Sequence, residues 1–303
     1  MNHFNTLIDL SEAYGLLKVS GLDAKKLLQG QLTCDLEKVT PLHGAFGAHC
    51  NREGRIISLF YLFFLQDHYY LLMPRSMIQI ALAALKKYAV FYKAKLTEAS
   101  DDLMTIGYIN SLPIHLSSTK EIALFSFPTK TLHSAVAFRY LIIGEKEAIK
   151  NEWAQLKKQA TISPVHTWKY LNIQDGNPMI YPETSEQCLP HEINLDQLNA
   201  LSFDKGCYTG QEIIARMHYR GKLKKHLYRA NITCKTLPKP GTAILENKTF
   251  KVCGMLINAV LKESHDYETL ISLDENHKKE NHLFLNSEIL LNGEKANCFT
   301  IMG

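Results

Sequence analysis

The stretch IISLFYLFFL, residues 56–65, constrains the fold more than any other part of this chain. It is unbroken by charge, glycine or proline. A helix needs about 20 apolar residues to cross a bilayer, so the run is too short to span a membrane and reads as a buried strand. A strand of that kind has to be covered by other elements, which requires a sizeable core. The 303 residues, 46% hydrophobic and 21% charged, provide one, with two or three domains expected.

The formal net charge of +4 is mild and does not by itself call for a polyanionic partner. The opening MNHFNTLIDLSEAYG has neither a basic-plus-apolar signal nor an Arg-rich transit pattern, so a cytoplasmic protein is expected. Cysteines stand at 34, 50, 188, 207, 234, 253 and 298, an odd count with no Cys-x-x-Cys pair. That spacing argues against a disulfide framework, a zinc ribbon or an iron–sulfur cluster held by this chain's own ligands. The 13 histidines include no His-Glu-x-x-His pair, and no metal site is expected.

Residues 20–39 carry Leu27, Leu28, Leu32 and Leu36 at helical spacing, with Asp23 as N-cap. A second helix is expected from about Ser76, giving way to a strand near Tyr88, with strands between the two helices over 42–73. Residues 144–160 read as an amphipathic helix with Ile149, Trp153 and Leu156 on one face. Another helix starts at Ser163–Pro164 and ends before Gly176. From about Lys225 the chain turns to short alternating runs separated by Pro, Gly and Asn-Gly signals. The expected architecture is an α+β body over 1–224 followed by a small C-terminal β-barrel or sandwich over 225–303.

The chemistry concentrates in KGCYTGQE, residues 205–212. Gly206 and Gly210 permit backbone angles that a side chain forbids, which suits a tight exposed turn around Cys207. The nearby cation Lys205, and a helix starting at Gln211, would favour the reactive thiolate. The other reading is a packed cysteine, since free cysteines are among the most buried residue types. Downstream, Arg216, Arg220, Lys222, Lys224, Lys225 and Arg229 form a basic run without an acidic residue from 213 to 229. Such a run suits phosphates, RNA, an acidic protein or a polyglutamate tail, and equally a solvated edge. Trp168, one of 2 tryptophans, reads from its pattern as a core residue.

Taken together, KGCYTGQEIIAR, the following YRG (219–221), VSGLDAKKLLQGQLTCDL, LKKYAVFYK, WKYLNIQDGNPMI and LPHEINLDQLNALSF resemble the YgfZ family of folate-binding proteins. That family is related to the aminomethyltransferase (T-protein) of the glycine cleavage system. The resemblance spans nearly the whole chain in order. It implies a three-domain T-protein-like ring with two interleaved subdomains over 1–224 and a tetrahydrofolate site near its centre. The implied role is support of iron–sulfur cluster assembly or repair, especially for radical enzymes that thiolate tRNA. The family's key cysteine falls on Cys207, with Lys205 beside it. Gly206, Tyr208, Gly210, Gln211, Glu212 and Arg216 complete the signature loop. Two aromatic folate-associated positions fall on Tyr14 and Trp168, where a flat ring could gain from stacking.

Two departures bear on the reaction. The stretch corresponding to the T-protein's folate-site aspartate is NREGRIISLFYLFF, where Arg55 to Leu59 contain no Asp pair. A T-protein glutamate is replaced here by Gln174, which can hydrogen-bond a pterin edge but cannot act as a carboxylate base. Both count against an aminomethyltransferase, and the resemblance assigns no reaction. Three readings follow: a folate-binding accessory factor for iron–sulfur proteins, a folate-dependent one-carbon transferase, and an RNA-binding module using 216–229.

Overall fold

The computed structural model describes residues 5–110, 121–127, 138–246 and 249–277, together with the backbone of 283–285 and 300–302. The chain begins with β1 (Thr6–Asp9), β2 (Tyr14–Ser20), α1 (Ala24–Gln29), β3 (Ala45–Cys50), β4 (Ile56–Leu65) and β5 (His68–Pro74). It continues through α2 (Ile78–Ala89), β6 (Lys95–Glu98), β7 (Leu103–Asn110), β8 (Ile122–Phe127) and β9 (Phe138–Glu145). Next come α3 (Lys146–Leu156), β10 (Thr161–Ile162), α4 (Val165–Gln174) and α5 (Gln211–Arg220). The last segment contributes β11 (Lys225–Thr233), β12 (Ala243–Glu246), β13 (Val252–Glu263), β14 (Asp266–Asp274), β15 (Leu283–Leu285) and β16 (Thr300–Met302).

These strands make three sheets. The first has the order β3-β4-β5-β2-β6 and is antiparallel. The second runs β10-β1-β7-β9-β8, so the whole first sheet is inserted in the chain between β1 and β7. The run that opened the sequence reading is β4. It is buried along nearly its whole length because α2 packs against it and because β8 of the second sheet also meets it. Tyr61 is the pivot of that second contact, stacked on Phe46 at 4.8 Å and meeting Phe125 and Phe127 at 5.0 and 5.2 Å. Each such buried side chain contributes about 1.5–3 kcal/mol by leaving water.

The third sheet, β15-β12-β13-β14-β11-β16, is antiparallel and contains every strand from Lys225 onward among the described residues. Its edge strands β15 and β16 do not pair with each other, so among the described residues the expected C-terminal barrel is not closed. Much of the predicted strand region 282–302 lies outside the described residues. The mixed α+β character is as expected.

The helices differ from expectation at their ends. The 20–39 helix stops at Gln29, and Leu32 and Leu36 are buried in the turns that follow. Asp23 makes no side-chain bond to α1; its carboxylate accepts the Lys93 backbone N–H at 2.7 Å, tying the helix start to the approach to β6. The strand expected near Tyr88 starts only at Lys95, because α2 continues to Ala89 and a turn intervenes. α3 and α4 form where predicted, with Gly176 just past α4 at φ +68°.

α4 is the element that brings the sheets together. It packs against β1 of the second sheet and β13 and β14 of the third. Its Trp168 lies directly over Gly107 of β7, where an added Cβ would stand 2.6 Å from the indole ring. Gly107→Ala should therefore cost about 1–3 kcal/mol through overpacking. A lowered urea midpoint with an unchanged m-value is the expected result, and an unchanged midpoint would remove Trp168 from this contact.

Candidate functional site

Local sequence fixes the Cys207 loop in three ways. Gly210, the N-cap of α5, has φ +81°, and a Cβ there would lie 2.5 Å from the Asn51 carbonyl, so only glycine fits. The Thr209 N–H donates to the Gly30 carbonyl at 3.2 Å, and the Thr209 hydroxyl meets Gln31 Oε1 at 3.0 Å. Lys205 turns inward and donates to the carbonyls of Leu32 and Cys34, both at 2.8 Å, while its ammonium lies 5.2 Å from the Tyr208 ring centroid. The loop is thus fastened to the segment following α1 from both sides of Cys207. Gly206 departs from expectation: its φ is not left-handed, and a Cβ there would meet nothing within 4 Å.

Between these anchors Cys207 is exposed, while Cys34, Cys50, Cys188, Cys234 and Cys253 are buried; Cys298 lies outside the described residues. Burial pushes the thiols of Cys34 and Cys188 up to about 12, which keeps them protonated and inert. Cys207 borders an open groove lined by Arg52, Tyr88, Gln211, Glu212 and Ala215. Gln211 and Glu212 form the first turn of α5, and Glu212 pairs with Arg216 at 3.1 Å. Lys205 is placed differently from the sequence expectation. Its amine is held by backbone carbonyls and positions the loop, and partial burial pulls its pKa down to about 8.

Tyr14, Trp168 and Gln174 fall elsewhere, around α4. Tyr14 is buried on a cavity of about 270 Å³ lined also by Lys169, Asn172, Met179, Glu183 and Asn258. Gln174 lines an adjoining cavity of about 260 Å³ with Asn194, Gln197 and Arg229, and Ile173 belongs to both walls. Arg229 donates to the Gln174 carbonyl at 3.2 Å and to its Oε1 at 3.0 Å. Neither cavity shares a lining residue with the Cys207 groove.

Trp168 corrects the stacking expectation. It is wholly buried, its face lies 4.4 Å from the Arg139 guanidinium, and Phe127 meets it edge-on at 5.5 Å. No face of the ring is open to a ligand. What Trp168 supports is Arg139, a buried residue of β9 that the sequence reading passed over. Arg139 pairs with Asp175 and donates to Asn172 Oδ1 at 2.6 Å, and Asn172 donates in turn to the Tyr14 hydroxyl at 3.4 Å. Burial raises the Asp175 carboxyl, and the guanidinium opposes that rise. The signal was present: one charge inside the apolar strand FRYLII needs a buried counter-charge, and Asp175 follows three residues after Asn172 on α4.

The basic run is divided by the fold. Arg216 is paired on the surface, Arg229 faces α4, and Arg220, Lys222 and Lys224 remain exposed. Among the described residues no helix is long and apolar enough to cross a membrane.

Two outcomes follow. Brief alkylation of the native protein, mapped by peptide mass spectrometry, should label Cys207 and spare the five buried cysteines; labelling of Cys34 or Cys50 at a similar rate would refute the loop geometry. Lys205 titrates near 8 when folded against an ordinary 10.5, so the unfolded chain binds more protons between those values. Stability should accordingly rise with pH from 8 toward 10.5 in the wild type. Relative to Lys205→Met, measured by urea unfolding across that window, the wild type should gain; parallel curves would place the ammonium in solvent.

No family model matches the chain. It is similar to proteins named tRNA-modifying protein YgfZ. That of Aliivibrio fischeri (strain MJ11) is 32% identical over 245 residues, covering 79% of this chain and 75% of the relative. Those of Colwellia psychrerythraea and Sodalis glossinidius are each 34% identical over 74% of this chain, covering 71% and 70% of their own lengths. In fold, the chain matches the crystal structure of the glycine cleavage system aminomethyltransferase T from Bartonella henselae with a TM-score of 0.69. That match has 12% identity and covers 99% of this chain and 85% of the other. At this level of identity and coverage, with its glycine-capped thiol loop set on a T-protein-like fold, the chain belongs to the YgfZ family.

Proposed function

We propose that this protein is a folate-binding accessory factor that supports iron–sulfur enzymes, including those that modify tRNA, and that it does so through the Cys207 thiol. The observation that carries the reading is the contrast among cysteines: one exposed on a loop fastened from both sides, five buried. A packed structural thiol does not need such a mount. The relatives' name, tRNA-modifying protein, supplies the biological setting.

The α4 cavities fit a reduced folate in kind. Tyr14, Met179 and Ile173 give apolar wall for a flat ring system, and Asn258, Lys169, Gln174 and Arg229 give polar contacts around it. Gln174 spends its Oε1 on Arg229, so its amide N–H groups are what it can offer a pterin acceptor. Arg229 and Lys169 suit the carboxylates of the glutamate portion. When bound, the folate would supply one-carbon or redox capacity. The chain's own residues orient it and hold it apart from the thiol.

At the loop, Cys207 is free to meet a client directly. Its thiolate acts as a nucleophile toward a disulfide or persulfide sulfur, or as a transient ligand to cluster iron. A single cysteine cannot retain a cluster without ligands from the client. Tyr14 and Trp168 act on the folate side, Trp168 by fixing Arg139 and through it Asn172 and Tyr14.

Titration calorimetry with tetrahydrofolate under reducing, oxygen-free conditions tests the arrangement. Wild type and Cys207→Ser should bind alike, while Arg229→Met and Gln174→Leu should each bind about tenfold or more weakly, a loss of about 1.4 kcal/mol. In cells lacking the protein, Cys207→Ser should fail to restore thiolated tRNA nucleosides. Absence of reduced-folate binding by the wild type would overturn the folate half, and full rescue by Cys207→Ser would overturn the thiol half.

A further inference from the structure

Outside both regions, folding assembles a third group of donor side chains. His191 lies in the short helical turn Pro190–Ile193, Asp196 follows in the next loop, and His218 sits past the second turn of α5. One donor atom from each lies within 4.8 Å of the others. The two imidazole rings are 5.9 Å apart between centroids. We propose that His191, Asp196 and His218 form a binding site for a divalent transition-metal ion, with zinc the best fit.

The independent pointer to a ligand is His191. It is only 5% exposed, yet neither Nδ1 nor Nε2 has a hydrogen-bond partner among the described residues. Buried polar groups in folded proteins are normally satisfied, so an imidazole with two idle nitrogens asks for something to bind. The neighbouring acid does not satisfy it: Glu192 is committed to the Leu189 backbone N–H at 2.8 Å. Asp196 and His218 both reach solvent, which lets the Asp196 carboxylate turn onto an ion and gives the ion a path in. His218 is already oriented by stacking on Phe203 at 4.2 Å with an interplanar angle of 21°.

The donor set decides the class of ion. Two imidazoles and one carboxylate suit zinc and its first-row neighbours, whereas calcium and magnesium demand all-oxygen shells. Zinc bonds of about 2.0–2.1 Å in a tetrahedron hold donors roughly 3.4 Å apart, so the side chains need to close by at most about 1.4 Å. Three protein ligands leave the fourth position open to water or to a group from a partner. The ion would clamp the 190–196 segment to α5, the helix whose first turn borders Cys207.

The test is zinc binding to the metal-free, full-length protein by competition with a chromophoric chelator, repeated with cobalt for its absorption bands. The reference protein and every variant carry Cys207→Ser, so the exposed thiol cannot supply the signal. The expected result is one zinc per chain with micromolar or tighter affinity. His218→Ala and Asp196→Ala should each weaken binding tenfold or more, and cobalt bands should be lost in His218→Ala. Because both positions are on the surface, circular dichroism should show these variants folded even if His191→Ala is not. No stoichiometric zinc uptake, or uptake unchanged in both surface variants, would overturn the site.

Discussion

A single buried guanidinium holds the centre of this molecule in place. Arg139 rises from the second sheet, lies against Trp168 and Phe127, and pairs with Asp175 and Asn172 of α4. A charge taken out of water is costly unless it is matched, and leaving one partner of such a pair alone costs on the order of 3–5 kcal/mol. The pair therefore dictates where the C-terminal half of α4 sits. Asn172 passes that placement to Tyr14 on the first sheet, and Gln174 passes it to Arg229 on the third. Nearby, Asn258 of β13 exchanges two hydrogen bonds with the Met179 backbone at 2.9 and 2.8 Å, closing the third sheet onto the segment after α4. Tyr14, Asn172, Gln174, Met179, Arg229 and Asn258, which make these contacts, line the cavities around α4.

The thiol loop depends on a different set of forces. Most of its anchors are backbone-directed: a lysine on two carbonyls, the Thr209 N–H on Gly30 and a glycine pressed against the Asn51 turn, with the Thr209 hydroxyl on the Gln31 side chain added. None of them competes with Cys207 for its sulfur. In the proposed function, this arrangement presents one thiol to a client while a folate occupies a site of its own. The groove and the cavities have no lining residue in common.

Much of this was legible in the sequence because short-range signals carried it. Apolar continuity announced β4, Pro164 and Gly176 bracketed α4, and the glycines of KGCYTGQE suited an exposed turn at Cys207, with a packed cysteine as the other reading. Gly210 behaved as its turn requires, whereas Gly206 did not need to be glycine. What stayed hidden depends on contacts between distant segments. Sequence shows Lys205 next to Cys207, but only the fold shows its amine drawn away to Leu32 and Cys34. It shows an aromatic at 168, but not that Arg139 covers its face. His191 and His218 lie too far apart along the chain for any spacing rule to join them. The strand order of the third sheet among the described residues was likewise invisible, because alternation predicts strands without saying which strands meet.

In the proposed function, folate and thiol occupy separate sites organised by α4 and by the α5 loop. A crystal structure of the protein soaked with tetrahydrofolate would locate the ligand. Ligand density is expected along α4 between Tyr14 and Gln174, with Trp168 still covered by Arg139 and Cys207 out of contact with the ligand. Density with the pterin stacked on Trp168, or lying against the Cys207 sulfur, would contradict this arrangement.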